Sequence, residues 1–169
     1  VFYEFLLQLY NWDDGSYTTV DDYVNIVSAL AVFYNKTGNY ESAQITFNNA
    51  LEKCKHYMGE ESVKYTEIEY IMARSALESG FYDFAENLIF KILEKQEKIF
   101  GQYSVEYLQS LDLLANLYNG KGNYDLAIET NRRALKIKES FLGIEHPVYA
   151  RSLNNLALVY SDMGNYVEA

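Results

Sequence analysis

The chain has 169 residues, of which 49% are hydrophobic, so it is long enough and apolar enough to bury a core. Its formal net charge is −10, with 14 Lys and Arg residues scattered among 24 Asp and Glu residues. Because a nucleic-acid groove needs clustered basic side chains, this charge argues against nucleic-acid binding and favours basic or neutral protein partners.

The cysteine content and the apolar runs predict a soluble, cytoplasmic protein. Cys54 is the single cysteine, so an internal disulfide is impossible. The longest apolar stretches, SLDLLANLY and FLLQLY, are shorter than the ~18 residues that a membrane span requires, and no basic leader precedes the first of them. We therefore expect no membrane association. Because the chain lacks an initiator methionine, we expect it to derive from a longer protein.

The sequence repeats with a period of 42 residues. Glycine recurs at this spacing at Gly38, Gly80, Gly122 and Gly164. A tyrosine follows each glycine two residues later, at Tyr40, Tyr82, Tyr124 and Tyr166. Alanine keeps the same register at Ala31, Ala73, Ala115 and Ala157, and again at Ala43, Ala85, Ala127 and Ala169. Several columns that agree at one spacing indicate an array of stacked supersecondary units.

Each period contains two stretches with helical spacing of apolar residues, which we call helix A and helix B. Helix A is predicted at about 20–37, 62–79, 104–121 and 146–163. Helix B follows each Gly-X-Tyr corner and ends before Gly59, Gly101 and Gly143, where a C-terminal glycine is expected. Ser62, Ser104 and His146 share one column just before helix A, and a serine there can cap the helix. Pro147 suits the first helical position.

These hairpins predict the domain organisation. One hairpin cannot bury its apolar stripe alone, so neighbouring hairpins stack into an all-α solenoid. The predicted boundaries are the end of a preceding repeat at 1–17, repeats at 18–59, 60–101 and 102–143, and a truncated repeat at 144–169. The array therefore has about three full repeats with partial repeats at both ends, and its cut ends are possible sites of self-association.

The residues LLANLY...GNYDLAI...AL, from Leu113 to Leu135, resemble the tetratricopeptide repeat (TPR). The period exceeds the usual length of about 34 residues. With LGIEHPVYARSLNNLALVYSDMGNY, from Leu142 to Tyr166, it resembles the kinesin-light-chain type of this repeat. The resemblance covers essentially the whole chain. It implies a right-handed superhelix of antiparallel helix hairpins, in which the helix A faces line a concave groove that binds peptides or proteins.

The resemblance also implies which side chains line that groove. The predicted peptide-binding residues are Asn25, Ser28, Asn35, Tyr70, Arg74, Asn116, Asn119, Arg151 and Asn154. Asparagine lowers helix propensity, so an amide-rich helix face invites a functional explanation, namely contact with an extended peptide backbone. Arginines there can bind a carboxylate. The alternatives are a solvated helix face, and arginines that pair internally with Glu67 or Asp112. The lysines of carboxylate-clamp family members are absent from these positions.

Helix B of the second repeat carries Phe84, Leu88 and Phe90 where the other repeats mostly have small or polar residues. An apolar outer surface of this kind can mark a second partner site. The alternative is that Phe84 or Leu88 fills space left by Ala76, which stands in a column otherwise occupied by tyrosine.

The sequence contains no pattern typical of catalysis or cofactor binding. His56 and His146 have no Cys, Asp or Glu at convincing metal-ligand spacing, and Cys54 has no histidine at i+3 or i+4. The glycines are explained by the repeat corners, so no phosphate-binding loop is predicted. We expect a non-enzymatic, cofactor-free and metal-free module that binds a protein or peptide. One alternative is the regulatory or sensing array of a larger effector enzyme with its catalytic domain elsewhere. Another is a structural spacer.

Overall fold

The computed structural model describes the backbone of residues 17–164 and the side chains of residues 21–164. These residues form seven α-helices and no strand, which confirms the predicted all-α array of helix hairpins. The predicted end of a preceding repeat before Tyr17, and the column positions Tyr166 and Ala169, lie outside the described residues.

The helices alternate between A and B as the period predicts. They are α1 (Tyr17–Lys36), α2 (Tyr40–Met58), α3 (Val63–Glu78), α4 (Tyr82–Phe100), α5 (Val105–Gly120), α6 (Tyr124–Leu142) and α7 (Pro147–Asp162). The odd-numbered helices are helices A and the even-numbered ones are helices B. The ends of α3, α5 and α7 lie within one residue of the predictions. Helix α1 begins three residues earlier than predicted, because no glycine or proline between 17 and 20 stops the helix from extending.

The predicted N-caps of α3, α5 and α7 are confirmed. The Oγ atoms of Ser62 and Ser104 accept hydrogen bonds from backbone N–H groups three residues on, at 3.2 and 3.3 Å. His146 takes the same role in α7, where its Nδ1 accepts from Val148 N at 3.2 Å and Pro147 follows as the first helical residue. Each cap satisfies an N–H group that the first turn leaves unpaired.

The recurring Gly-Asn-Tyr corner has a backbone explanation. At the end of α5, Gly122 has φ of +74°, and Asn123 N donates to Tyr118 O at 2.8 Å. This bond runs from the second residue past the C-cap Lys121 back over the last turn and belongs to the Schellman motif. The motif favours glycine at Gly122 because other residues are strained at positive φ. Gly38 and Gly80 adopt the same conformation. The three letters therefore mark the turn between helices A and B.

The chain packs as two compact units that divide between Phe81 and Tyr82. In unit 1, helix α1 packs on α2 and α3, and α2 packs on α3. The core of unit 1 is formed by apolar side chains from all three helices, including Val24, Val27, Ala31, Phe47 and Ile68. Burial of this apolar surface is the main force that stabilises the unit.

Unit 2 contains α4 to α7, and each of its helices packs on the next along the chain. Its core includes Ile89, Leu108, Leu111, Leu117 and Ile92. Ala115 and Ala127 are fully buried, as expected for small residues where helix axes approach closely. Lys121, just after α5, donates to Asp83 and Glu86 on α4 at 2.9 and 2.7 Å. Within residues 17–164, no helix is both long and apolar enough to cross a bilayer.

Candidate functional site

In unit 1, most of the predicted groove residues are already engaged. Asn25 is exposed, and its Oδ1 accepts from Lys64 Nζ at 3.3 Å. Asn35 Nδ2 donates to Ser75 Oγ at 2.5 Å, which joins α1 to α3. Ser28 is buried within the unit, so its hydroxyl is closed to a ligand. The asparagines on this face therefore hold two helices A together.

Two cations of unit 1, Lys64 and Arg74, are close to carboxylates. Lys64 Nζ lies 2.9 Å from Glu67 and 3.3 Å from Asp21. Burial alone would lower the pKa of Lys64, but these two carboxylates outweigh it and raise the pKa. Arg74 is exposed, and its Nε lies 4.0 Å from Glu78 Oε1, one helical turn away. Glu67 therefore pairs with Lys64, and the internal partner of Arg74 is Glu78 and not Glu67.

In unit 2, the predicted residues lie on α5 and α7. Asn119 Nδ2 donates to Asp162 Oδ2 at 2.6 Å, which repeats the inter-helix bond made by Asn35 in unit 1. Its Oδ1 is buried with no partner among residues 21–164. Asn116, Arg151 and Asn154 are exposed, and none makes a hydrogen bond or ion pair within the described part of the chain. These three side chains are open to a ligand.

A buried polar triad, Lys138, Asp112 and Ser152, lies beneath this exposed surface. Lys138 Nζ is 2.5 Å from Asp112 Oδ1 and also donates to Ser152 Oγ. Ser152 Oγ is 3.3 Å from the same carboxylate oxygen. Lys138 and Ser152 are fully buried, and Asp112 nearly so. Three consecutive helices, α5, α6 and α7, are thus joined at one point.

The triad determines the charge around Arg151. Burial lowers the pKa of the Lys138 ammonium, Asp112 opposes that shift, and the positive charge of Arg151 adds to the lowering. Arg151 therefore lies near a cation, and the one carboxylate of the triad is already bound by Lys138 at 2.5 Å. The predicted alternative, in which Arg151 pairs with Asp112, is wrong because Lys138 occupies that carboxylate. Among residues 21–164, no carboxylate forms an ion pair with Arg151.

The triad was not identified from the sequence. Its clearest signal was a charged residue, Lys138, on the apolar stripe of a helix B. A lysine with a lowered pKa beside a serine can in principle activate the hydroxyl. Here both side chains are closed to solvent, so no substrate reaches Ser152, and the triad is structural.

The predicted second surface does not form one patch on α4. Phe84 and Phe90 are both about half exposed, and Leu88 is partly buried. Six residues at about 100° each place Phe84 and Phe90 roughly 120° apart around the helix. Phe84 and Leu88, four residues apart, share a face.

Groups with metal-binding or nucleophilic potential have structural roles. Cys54 is buried, its Sγ lies 3.7 Å from Ser62 Oγ, and burial raises the pKa of the thiol. His56 stacks edge-on against Tyr57 with ring centroids 4.7 Å apart, and His146 caps α7. Among residues 21–164, no group of three His, Cys, Asp or Glu side chains is arranged to hold a metal ion.

A shallow cleft of about 380 Å³ lies where the corner between α5 and α6 approaches the end of α7. Its lining consists of Gly122, Asn123, Tyr124, Asp125, Leu126 and Met163. It contains none of the predicted groove residues and no cation, so it contributes nothing to a carboxylate-binding site.

A tetratricopeptide-repeat family model matches residues 64–140 and 106–169, which together span more than half of the chain. The chain belongs to the tetratricopeptide-repeat family. This fold is typical of protein-interaction scaffolds. A comparison with curated proteins finds no relative.

Solved structures show the kinesin-light-chain-like form of the tetratricopeptide repeat. BtubC (BKLC) from P. vanneervenii matches 99% of this chain with a TM-score of 0.72 and 24% identity. A Podosopora anserina protein assigned as a kinesin light chain, with nearly identical TPR-like repeats, matches 96% with a TM-score of 0.71 and 20% identity. The chain spans 66% of the length of BtubC and 75% of the second protein. These likenesses confirm the predicted repeat type.

Proposed function

We propose that the chain is a non-catalytic scaffold module, and that the helix A face of α5 and α7 binds a peptide segment of a partner protein. The ligand chemistry we assign is a carboxylate, from an acidic side chain or a C-terminus, held by Arg151, with neighbouring backbone amides held by Asn116 and Asn154. The observation that carries this proposal is the exposed Arg151, which forms no ion pair among the described residues, together with the exposed amides of Asn154 on the same helix and Asn116 on the adjacent helix α5.

The positions of the three side chains support a shared site. Arg151 and Asn154 are three residues apart and face the same side of α7. Asn116 lies between Asp112 and Asn119 on α5, and both of those flanking residues contact α7. Asn116 therefore borders α7. The planar guanidinium can form two parallel hydrogen bonds with a carboxylate, and the amides can both donate to and accept from a peptide backbone.

The proposal is tested by selection from a random peptide display library on the immobilised chain. The enriched peptides are then titrated against the parent, Arg151→Gln and Asn116→Ala/Asn154→Ala, each with a free and an amidated C-terminus. A charge-assisted hydrogen bond contributes about 1.5–3 kcal/mol, so Arg151→Gln is expected to weaken binding about 10- to 100-fold. Loss of binding on amidation identifies a terminal carboxylate, and retention identifies an acidic side chain.

Lys136→Gln is the matched control, because Lys136 is exposed on α6 and the substitution removes the same charge. Binding by this variant should stay within about twofold of the parent, since surface charges away from a site have small effects. If no peptide is enriched, or if Arg151→Gln and the parent bind alike, the proposed site is wrong.

A further inference from the structure

Unit 2 has a second exposed surface, at the edge where helices B end and helices A begin. We call it the apolar edge, and it consists of Ile99, Tyr103, Val105, Phe141 and Ile144, all exposed. Tyr103, in the loop between α4 and α5, is 62% exposed, and Ile144, in the loop between α6 and α7, is 59% exposed. The rings of Tyr103 and Phe141 are 6.4 Å apart, so the first loop lies against the end of α6.

Carboxylates border the apolar edge. Glu97, Glu106, Glu139 and Glu145 are exposed, and none forms an ion pair within residues 21–164. Glu97 accepts only from the amide of Gln102, at 2.5 Å. Lys98 binds Glu94 at 2.7 Å, and Arg133 donates to Tyr107 Oη at 2.6 Å. Lys136, one turn before Glu139, is exposed, so the four carboxylates outnumber the open cations at this rim.

We propose that the apolar edge docks an amphipathic helix of a partner protein, with Lys or Arg residues flanking the apolar face of that helix. Exposed apolar surface with a polar rim is typical of interaction sites, and aromatic residues are enriched in their centres. The rim of carboxylates complements a basic flank. A second copy of this chain is disfavoured as the occupant, because it carries a net charge of −10 and would bring the same acidic rim against itself.

The chemistry of the edge also favours a helical ligand over an extended one. An extended peptide needs partners for its backbone N–H and C=O groups. The apolar edge offers side chains without hydrogen-bonding groups at most positions, and the described residues contain no strand whose edge could pair with a peptide. A helix satisfies its own backbone and presents only side chains. This site uses different residues from the proposed carboxylate site and is independent of it.

The test uses the whole 169-residue chain and a fluorescently labelled synthetic peptide of Leu and Lys with leucines at i, i+3, i+4 and i+7. Two control peptides have the same composition with the leucines spread around the helix, or Glu in place of Lys. Dissociation constants come from fluorescence anisotropy at low and high ionic strength. The variants are Tyr103→Ser/Phe141→Ser for the apolar centre and Glu139→Gln/Glu145→Gln for the rim, checked for parental helical content by circular dichroism.

Matched controls come from the same unit. Phe90→Ser/Leu126→Ser removes two exposed apolar side chains away from the edge, and Asp125→Asn/Glu129→Gln removes two exposed carboxylates. We expect Tyr103→Ser/Phe141→Ser to weaken binding of the amphipathic Lys peptide about 10-fold or more. Glu139→Gln/Glu145→Gln should weaken it about 3-fold and reduce its salt dependence. The control variants should bind within about twofold of the parent.

Two results would overturn the proposal. One is equal binding by the edge variants and the parent, or equal binding of the amphipathic and permuted peptides. The other comes from sedimentation equilibrium: a parent that dimerises, together with a Tyr103→Ser/Phe141→Ser variant that is monomeric, would show that a second copy occupies the edge.

Discussion

Unit 2 has two layers of buried polar side chains at equivalent positions in consecutive repeats. The two layers differ in whether their polar atoms have hydrogen-bond partners. In one, Lys138 and Ser152 bind Asp112, and the polar groups satisfy one another. Forty-two residues earlier, Gln96 and Ser110 stand in the columns of Lys138 and Ser152. Both are buried, and Gln96 Oε1 and Ser110 Oγ have no hydrogen-bond partner within the described residues.

The comparison shows that the repeat fixes the backbone but leaves the chemistry of each layer free to vary. A buried polar atom without a partner costs stability, whereas a buried ion pair is costly mainly when one member is removed. The layer around Lys138 should therefore be fragile to single substitutions. The layer around Gln96 should tolerate them.

The largest expected effect comes from Lys138→Met, which roughly preserves side-chain volume but leaves Asp112 buried without its cation. We expect the free energy of unfolding to fall by about 3–5 kcal/mol. Urea unfolding with an unchanged m-value measures this loss. Adding Asp112→Leu and Ser152→Ala should restore most of the stability, because no unpaired charge then remains.

Lys136→Met controls for the loss of a lysine on the same helix and should change stability by less than about 0.5 kcal/mol. If Lys138→Met lowers the free energy of unfolding no more than Lys136→Met does, the ion pair does not stabilise the layer as described.

A smaller effect is expected from the two equivalent serines. Ser152→Ala removes a hydroxyl that bonds Lys138 and should cost about 1–2 kcal/mol. Ser110→Ala removes a buried hydroxyl without a partner among the described residues and should leave stability unchanged or raise it by up to about 1 kcal/mol. Thermal and urea unfolding of both variants gives the difference directly. Equal costs for the two substitutions would mean that the layers do not differ in polar satisfaction.

The smallest effect concerns pH and Tyr118, a nearly buried residue of α5. Burial, followed by the nearby carboxylate of Glu86, raises the pKa of Tyr118 above its ordinary 10.0. Since the folded pKa exceeds the unfolded one, the resulting stability is fully present below pH 10 and is lost as the pH rises through the folded value. Tyr118→Phe should therefore lose stability less steeply above pH 10 than the parent.

Unfolding midpoints of both proteins at several pH values on either side of pH 10 test this expectation. Below pH 10 the two proteins should differ by a constant amount, and the difference should change only above it. A constant offset across the whole range would show that the hydroxyl of Tyr118 titrates normally.

The sequence was sufficient to predict the helices and the N-caps of α3, α5 and α7. Ser62 and Ser104 were identifiable because capping is local and because the 42-residue period showed the same position repeatedly. The corner glycines were predictable for the same reason. Caps and turns depend on residues that are close in the sequence, so they can be predicted from the sequence alone.

The polar contacts between helices were not predictable. Lys138 lies 26 residues from Asp112 and 14 from Ser152, and each appears in the sequence as one polar residue on an otherwise apolar stripe. The asparagines were also not predictable in this respect. Asn35 and Asn119 were predicted to bind a peptide, but in the structure their amides donate hydrogen bonds to side chains of the next helix A. Some of the amides that suggested function are therefore explained by packing.

The most direct measurement of the proposed carboxylate site is an NMR titration of the labelled chain with the most enriched acidic peptide. The account predicts that the Nε–H resonance of Arg151 and the side-chain amides of Asn116 and Asn154 shift on binding. The Nδ2 resonances of Asn35 and Asn119 should stay unchanged because internal hydrogen bonds hold them. Shifts confined to other residues, with Arg151 unaffected, would contradict the account.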